Sequence, residues 1–363
     1  MKPFSTTIER IHKVLGFINF LRPVSLPLFD RKQGIIIVEP FLLGDAIIAC
    51  KFATALLNSD RLSSVHVLVD SKFCSTLKVL FPGIHFIGHD FEFLRRFQLH
   101  KYLFNAFILR KILIKNGISI VNDFFVDIRG DFRIAFFLFA AHFKKRLGFK
   151  SAGNGIFCNF VIDNTATERN LYAETALLTK VFDCQSESVH DIELVAHEYD
   201  IYRPRHVIVH FGASQPKRIP PLDFAVEFIA QFGYSYAGSY KNLYIDVCRF
   251  PEFRNFADCL VQLLEKKGFS AKVVEFESFH DLVVESTAYD AVLCVDSALL
   301  HAIDISHKSV HVVFGPSTPD SIINPAANNV KSYFKKAVCC PCDGSSCVNK
   351  DEKLCYWGVL NEF

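Results

Sequence analysis

Hydrophobic residues along this chain recur with two different spacings. From Gly34 onward, short runs rich in β-branched and aromatic residues alternate with stretches whose apolar positions follow helical spacing. Because parallel strands joined by helices produce this alternation, the pattern predicts βαβ units. In the first half it predicts strands at 35–38, 65–69, 118–121 and 124–127, and helices at 46–57, 74–80 and 132–143.

The same alternation starts again after the polar stretch 198–204. It predicts strands at 207–210, 243–246, 271–274, 291–294 and 310–313, and a helix at 252–267. We therefore predict an α/β protein with two Rossmann-like domains, over 34–197 and 205–335. Ligands of open parallel sheets bind at the carboxyl ends of the strands. We expect the chemistry in the loops there, in a crevice between the two domains.

Composition narrows the class of protein. The 363 residues are 50% hydrophobic, enough for two cores, and Lys+Arg 40 nearly balance Asp+Glu 38. A net charge of +2 gives no field that would attract nucleic acid. No stretch of about 20 uncharged apolar residues predicts a membrane span, and charges interrupt the first apolar run before any cleavage site. The predicted location is cytoplasmic.

Twelve cysteines divide into two groups. Seven are scattered singly and are typical of reduced core residues, as expected in the cytosol: Cys50, Cys74, Cys158, Cys184, Cys248, Cys259 and Cys294. The remaining five lie in a Cys-rich tail over 336–363. Cys339, Cys342, Cys347 and Cys355 could ligate a structural zinc or iron ion, with Cys340 as a spare, or they could be reduced thiols packed in loops.

Three loops at predicted strand ends carry candidate chemistry. Gly44 and Asp45 follow the first strand, where Asp45 either faces the ligand or caps the helix. In the loop 210–220, Gly212, Ala213, Ser214, Lys217 and Arg218 could hold a phosphate with backbone amides and cations, or the loop could simply be solvated. After the strand at 291–294, Asp296, Ser297 and Ala298 open a helix on which His301 is either a ligand or an interior residue.

These loops, taken in order, resemble glycosyltransferase family 9, which includes the lipopolysaccharide heptosyltransferases. The ordered segments are Gly44-Asp45, Asp127-x-x-Gly130-x-x-Arg133, Arg146-Leu147-Gly148-Phe149, the loop 210–220, Asp296-Ser297-Ala298-x-x-His301, Phe314–Pro319 and the cysteine tail. The resemblance implies a GT-B fold, in which two Rossmann-like domains face a central cleft. It places the acceptor on the N-terminal domain and an ADP-sugar donor, ADP-heptose-like, on the C-terminal one.

Site roles follow from the same resemblance. Asp45 becomes the general base and Lys217 a donor-phosphate ligand, with Asp45 and Lys217 opposed across the cleft. Asp296, Ser297, Ala298 and His301 form the donor-binding helix start. Glu252 stands where a ribose-binding acid is expected. Inversion at the sugar needs a base for the acceptor hydroxyl and positive charge at the leaving diphosphate, and cations there can replace a metal ion.

Three departures from the family pattern leave the donor open. Ile219 replaces an aromatic residue, Ala298 replaces a glycine, and Cys248-Arg249 replaces a Gly-Gly turn. Alternative functions are another nucleotide-sugar enzyme of GT-B fold, such as a capsule or O-antigen transferase or an epimerase, and a non-catalytic nucleotide-sugar-binding relative.

Two segments suggest contact with a membrane or glycolipid. Residues 1–33 are basic and amphipathic, with six basic side chains against two acidic ones, and predict either an interfacial helix or a helix packed on the first domain. The segment 91–115 interleaves aromatic residues with cations. It is typical of a surface that meets anionic lipid or, equally, of a helix that covers the sheet.

Overall fold

The computed structural model describes most of the chain as two compact units. The described residues are 33–58, 62–95, 98–149, 157–163, 170–182, 205–238, 242–303, 309–342 and 353–362. The N-terminal unit contains the described residues up to 182, and the C-terminal unit contains those from 205 onward. All of the predicted basic extension 1–33 except Gln33 lies outside the described residues. Each unit is an α/β domain built on a parallel sheet.

The N-terminal sheet has six parallel strands. They are β1 (Gly34–Glu39), β2 (Ser64–Asp70), β3 (His85–His89), β4 (Phe124–Asp127), β5 (Lys145–Phe149) and β6 (Phe160–Ile162). Their order is β3-β2-β1-β4-β5-β6, so β1 pairs with β2 on one side and β4 on the other. Every residue of β1 is buried, which explains its continuous apolar run. The order reverses between β1 and β4, and this switch point is where ligands of such sheets bind.

Among the described residues, four helices connect these strands and a fifth follows β6. They are α1 (Leu43–Leu57), α2 (Cys74–Leu80), α3 (Leu99–Lys115), α4 (Phe132–Ala140) and α5 (Leu171–Val181). Helices α3 and α4 share one hydrophobic cluster with the sheet, in which Leu109 and Phe137 pack with Ile36 and Val38 of β1. The neighbouring positions of β1 are buried as well. Apolar packing on both faces fixes β1, and therefore the loop that follows it, in the middle of the domain.

The C-terminal sheet repeats the topology. Its parallel strands are β7 (Arg205–His210), β8 (Leu243–Arg249), β9 (Ser270–Glu275), β10 (Ala291–Val295), β11 (Val310–Val313) and β12 (Val330–Tyr333). Their order is β12-β11-β10-β7-β8-β9, which puts the switch point between β7 and β10. Successive side chains of β7 point to opposite faces of the sheet and pack in two separate hydrophobic clusters. Val207 and Val209 belong to one cluster and Ile208 to the other.

The described helices of this domain continue to Trp357, near the end of the chain. They are α6 (Leu222–Ala237), α7 (Arg254–Lys266), α8 (Phe279–Ser286), α9 (Ala298–Ile303), α10 (Pro319–Ile322) and α11 (Leu354–Trp357). Cys355, Tyr356 and Val359 are buried in the same cluster as α6. The end of the chain is thus packed into the C-terminal core.

The predicted alternation of strands and helices is confirmed, with local exceptions. Residues 118–121 form a turn rather than the predicted strand, because Gly117 takes a left-handed conformation and the backbone N–H of Ser119 binds the side chain of Asp123. The ten described cysteines are all free thiols. Cys50, Cys158, Cys248 and Cys294 are buried as predicted, Cys74 is half-buried and Cys259 is exposed, so the core interpretation of Cys259 is wrong.

Candidate functional site

The N-terminal switch point holds Asp45 in an ion pair. Helix α1 begins at Leu43 after Leu42, so Asp45 lies inside the first turn and does not cap the helix. The capping interpretation is therefore wrong. The carboxylate of Asp45 instead pairs with the guanidinium of Arg129, which follows β4, the strand beside β1. The pair thus joins the two loops that leave the switch point.

Arg129 is positioned by a turn that the sequence motif encodes. The buried side chain of Asp127 accepts backbone N–H bonds from Arg129 and Gly130, each 3.0 Å long. Gly130 has a φ of 66°, a left-handed conformation that favours glycine. The guanidinium of Arg129 also lies over the ring of Phe41, 5.1 Å from its centroid. The turn and the ring together direct Arg129 toward Asp45.

A second carboxyl group, Glu39, is buried beside this pair. It is the last residue of β1 and is fully buried, with Oε1 3.7 Å from the Arg129 guanidinium and 3.0 Å from the backbone nitrogen of Phe41. Its other oxygen, Oε2, has no hydrogen-bond partner among the described residues. Burial raises the pKa of Glu39 to about 8, against the opposing charge of Arg129. A buried group with a shifted pKa at a ligand-binding position is a functional candidate, and sequence reasoning missed it.

The C-terminal switch point ties three loops together through Asp296. Arg218, after β7, donates from Nη1 to Oδ1 of Asp296 over 3.1 Å. Ser317, after β11, donates to the other carboxylate oxygen over 2.6 Å. Asp296 itself follows β10 and is buried. The predicted donor residue Asp296 is therefore the anchor that fixes Arg218 at the end of the sheet.

Two buried donors at this switch point lack partners. The Nε of Arg218 and the hydroxyl of Ser297 have no hydrogen-bond partner in the described part of the chain. The Ser297 residue is only 9% exposed. A buried polar atom without a hydrogen-bond partner costs free energy, so such atoms are rare in folded proteins. A ligand that accepts hydrogen bonds from these two donors would remove this cost. Helix α9 starts at the adjacent Ala298 and carries the buried His301.

The end of the chain braces the loop that carries Lys217. The half-buried Lys217 donates from Nζ to the carbonyl of Cys342 over 2.5 Å. The hydroxyl of Tyr356 donates to the carbonyl of Arg218 over 2.6 Å. Gly315 leaves room for the Tyr356 ring, which a Cβ there would meet at 2.4 Å. The side chains of Lys217 and Arg218 both bind other parts of the domain, so the interpretation of 210–220 as a merely solvated loop is wrong for these two residues.

The start of the same loop is packed tightly. A Cβ at Gly212 would lie 2.7 Å from the ring of Phe253 and 2.9 Å from His210, so glycine is required for packing. Burial lowers the pKa of His210 to about 4, which keeps the imidazole neutral at pH 7. Ala213 is buried and Ser214 is exposed. The cationic charge of the loop therefore comes from Lys217 and Arg218.

Glu252 lines a pocket beside this loop. The pocket has a volume of about 660 Å³ and is formed by Ile219 and the segment 251–256. That volume suits a small-molecule ligand, and its walls combine Phe253 and Phe256 with the polar Glu252 and Asn255. Ile219 directly follows Lys217 and Arg218, so the pocket adjoins these two cations within one domain.

The cysteine tail is described only in part. Cys339, Cys342 and Cys355 are described, whereas Cys347 lies outside the described residues. Among the residues that the structure covers, no group of three or more His, Cys, Asp or Glu side chains could hold a metal ion. Cys355 packs in the hydrophobic core, and the thiol of Cys342 contacts the carbonyl of Cys339 at 3.1 Å. The metal site with all four thiols stays a prediction.

Three solved glycosyltransferase structures have a fold similar to that of this chain. A glycosyltransferase family 9 structure from Veillonella parvula has a TM-score of 0.57 and 12% identity, covering 86% of this chain and 90% of its own. The E. coli ADP-heptose lipopolysaccharide heptosyltransferase II has a TM-score of 0.54 and 15% identity, covering 91% and 99%. An E. coli heptosyltransferase with ADP-2-deoxy-2-fluoro heptose has a TM-score of 0.58 and 14% identity, covering 91% and 98%.

These similarities confirm the predicted resemblance at the level of the fold. The chain has the α/β, two-domain GT-B fold that family 9 structures share. No model of a protein family matches the chain, and no curated protein is similar to it in sequence. At 12–15% identity the likeness shows the fold alone. The activity has to be argued from the residues at the two switch points.

Proposed function

We propose that this protein is an inverting glycosyltransferase that moves a sugar from a nucleotide-diphosphate donor to a glycan hydroxyl. The single observation that carries the proposal is a pair of buried donors at the switch point of the C-terminal sheet, Arg218 Nε and Ser297 Oγ, which have no hydrogen-bond partner among the described residues. A diphosphate supplies acceptor oxygens for both. The adjoining pocket with Glu252 has room for the nucleoside. The donor is therefore assigned to the C-terminal domain.

The acceptor step is assigned to Asp45. The acceptor hydroxyl oxygen forms a bond to the anomeric carbon while the bond from that carbon to the diphosphate oxygen breaks. The hydroxyl proton passes to the Asp45 carboxylate, which is oriented by Arg129 and is partly exposed, with 21% of its side chain accessible. Glu39 is fully buried and is therefore not the proton acceptor. Below about pH 8 Glu39 keeps its proton, so its carboxyl group does not compete with Asp45 for the charge of Arg129.

The leaving group gains negative charge as the sugar departs. Arg218 is held in place before the reaction by Asp296, and Lys217 by the carbonyl of Cys342, so neither has to reorganise far. Backbone amides of Gly212, Ala213 and Ser214 complete the phosphate loop in this proposal. Cationic side chains then supply the charge that a divalent metal ion supplies elsewhere, and turnover should persist in EDTA.

The substrates are proposed from the fold neighbours. An ADP-sugar, ADP-heptose-like, is the first donor to test, because one neighbour was solved with ADP-2-deoxy-2-fluoro heptose and another is named for ADP-heptose and lipopolysaccharide. The proposed acceptor is a lipopolysaccharide core or a related glycan. If the acceptor is anchored in lipid, the reaction takes place at a membrane surface. The protein is then cytoplasmic and binds that membrane peripherally. Within the described ranges, every helix is too short or too polar to cross a bilayer.

A donor screen tests the proposal. Calorimetry with ADP-, UDP- and GDP-sugars should find one donor class that binds, and that donor should be turned over with core oligosaccharide acceptors. Conversion of the donor sugar to its epimer without transfer would identify an epimerase instead. Tight donor binding with neither transfer nor epimerisation would point to a non-catalytic relative. No binding by any nucleotide sugar would contradict the proposal.

A further inference from the structure

Helix α3 carries two apolar stripes, and only one of them is packed. Tyr102, Ala106, Leu109 and Leu113 are buried against the sheet and α4. The other stripe projects large side chains into solvent, each more than half exposed: Leu99, Leu103, Phe104, Phe107 and Ile114. The two interpretations of the 91–115 segment are therefore compatible, because one helix covers the sheet and also presents an apolar surface.

The exposed stripe is continuous along the helix. Leu99, Leu103, Phe107 and Ile114 fall within an arc of about 80° and extend over roughly 22 Å of helix. Phe104 widens the stripe on one side and is the most exposed of the five, at 66%. Scattered exposed apolar residues are ordinary, but five on one face of one helix form a contiguous patch of the kind that marks an interaction surface.

The charge of α3 is entirely positive. Its 17 residues include Lys101, Arg110, Lys111 and Lys115 and contain no Asp or Glu. Arg110 lies within the exposed stripe, and Lys111 reaches across it, with Nζ 4.3 Å from the Phe107 ring. Since the whole chain carries a net charge of only +2, this helix is a local concentration of positive charge. An apolar face with cations at its border complements an anionic lipid surface.

We propose that the exposed stripe of α3 docks on a lipid bilayer that contains anionic headgroups. The helix lies parallel to the membrane, its Leu, Phe and Ile side chains enter the boundary between headgroups and acyl chains, and its cations contact the phosphates. Long cationic side chains tolerate this position because their aliphatic parts lie among the apolar groups while the charge stays in water. Membrane contact of the N-terminal domain thus has a defined surface.

Vesicle flotation tests this assignment on the full-length chain. The protein should bind vesicles of phosphatidylcholine with phosphatidylglycerol and bind pure phosphatidylcholine vesicles weakly. Added salt should reduce binding, because it screens the headgroup charge. Replacing Phe104 and Phe107 by Ser should lower affinity at least about tenfold, from the lost apolar burial. Lys111→Glu should lower affinity about fivefold or more, from the lost cation.

Matched controls come from helix α2 of the same domain. Val79 is 54% exposed and Lys78 is exposed as well. Val79→Ser and Lys78→Glu therefore make the same kinds of change, loss of an exposed apolar side chain and reversal of an exposed positive charge, outside α3. Both controls should leave vesicle binding unchanged. Equal binding of wild type and the Phe104, Phe107 variant, or no binding to anionic vesicles, would overturn the proposal. Loss of a dimer in the same variant, seen by sedimentation without lipid binding, would show instead that the stripe joins two copies.

Lipid binding and sugar transfer can fail separately. Donor binding and transfer to a water-soluble core oligosaccharide should be unchanged in the Phe104, Phe107 variant, because α3 carries none of the proposed donor or base residues. If the donor screen fails while vesicle binding and its loss in the variant persist, only the enzymatic proposal is wrong.

Discussion

The two domains share one topology but carry opposite chemistry at their switch points. In the N-terminal sheet, three carboxyl groups, Glu39, Asp45 and Asp127, gather around Arg129. In the C-terminal sheet, Lys217 and Arg218 follow β7, and His210 stays neutral. In the proposed function, the same fold position therefore serves a proton acceptor in one domain and a phosphate in the other. Fold fixes where a ligand binds, and the loop residues decide which ligand it is.

The largest expected effect comes from removing the proposed base. Asp45→Asn should lower the rate of the chemical step by about 10²–10⁴ and leave the donor Kd unchanged, because the donor residues lie in the other domain. Single-turnover kinetics and calorimetry measure the two quantities. Asp163→Asn, an exposed acid in the same domain, is the control and should behave as wild type. A fully active Asp45→Asn enzyme would remove Asp45 from this role.

The next effect tests the donor side. Arg218→Lys keeps the positive charge but removes the planar guanidinium. In wild type Nη1 of this group binds Asp296, while Nε, which has no partner among the described residues, can bind a ligand. We expect the donor Kd to rise about tenfold to a hundredfold, from the lost hydrogen bond to a charged group. Lys272→Arg, on the exposed surface of β9, is the control. An unchanged donor Kd in Arg218→Lys would contradict the assignment of the donor phosphates to the C-terminal switch point.

The buried carboxyl group gives a stability prediction with a defined pH window. Below about pH 4.5 Glu39 is protonated in both the folded and the unfolded chain, whereas between that pH and about 8 only the folded chain keeps the proton. The free energy of unfolding should therefore fall as pH rises through this window. Glu39→Gln cannot ionise, so by pH 8 it should gain on the order of 5 kcal/mol over wild type, because each pH unit of this window contributes about 1.4 kcal/mol.

Denaturant unfolding at several pH values measures that difference. Glu92→Gln, an exposed carboxyl group of the same domain, should track wild type at every pH. A constant difference between Glu39→Gln and wild type from pH 5 to pH 8 would contradict the raised pKa.

The smallest effect separates stability from binding at one hydroxyl group. Ser297→Ala removes a buried donor that has no partner within the described residues, so unfolding stability should stay equal or rise by up to about 1 kcal/mol. Donor affinity should fall about threefold to tenfold, because the hydroxyl then no longer binds the diphosphate. Thermal unfolding and calorimetry on the same sample compare the two. Lower stability with unchanged affinity would mean that Ser297 has only a structural role.

The sequence predicted the strands, helices and loops of the molecule better than the side-chain contacts between them. The continuous apolar run of β1 and the helical spacing after it are local signals, so the sheet and the loop at Asp45 were predictable. The pairing of Asp45 with Arg129 joins residues 84 positions apart and depends on β4 lying beside β1. Glu39 directly follows the predicted strand 35–38 and received no site prediction, because its burial comes from neighbouring elements. The outer stripe of α3 was ambiguous because both stripes of that helix are apolar.

Calorimetric titration of the selected nucleotide sugar into wild type, Asp45→Asn and Arg218→Lys tests the central division of roles most directly. We expect the same donor Kd for wild type and Asp45→Asn, and a Kd at least about tenfold higher for Arg218→Lys. Equal weakening in both variants, or no change in Arg218→Lys, would contradict this division of roles.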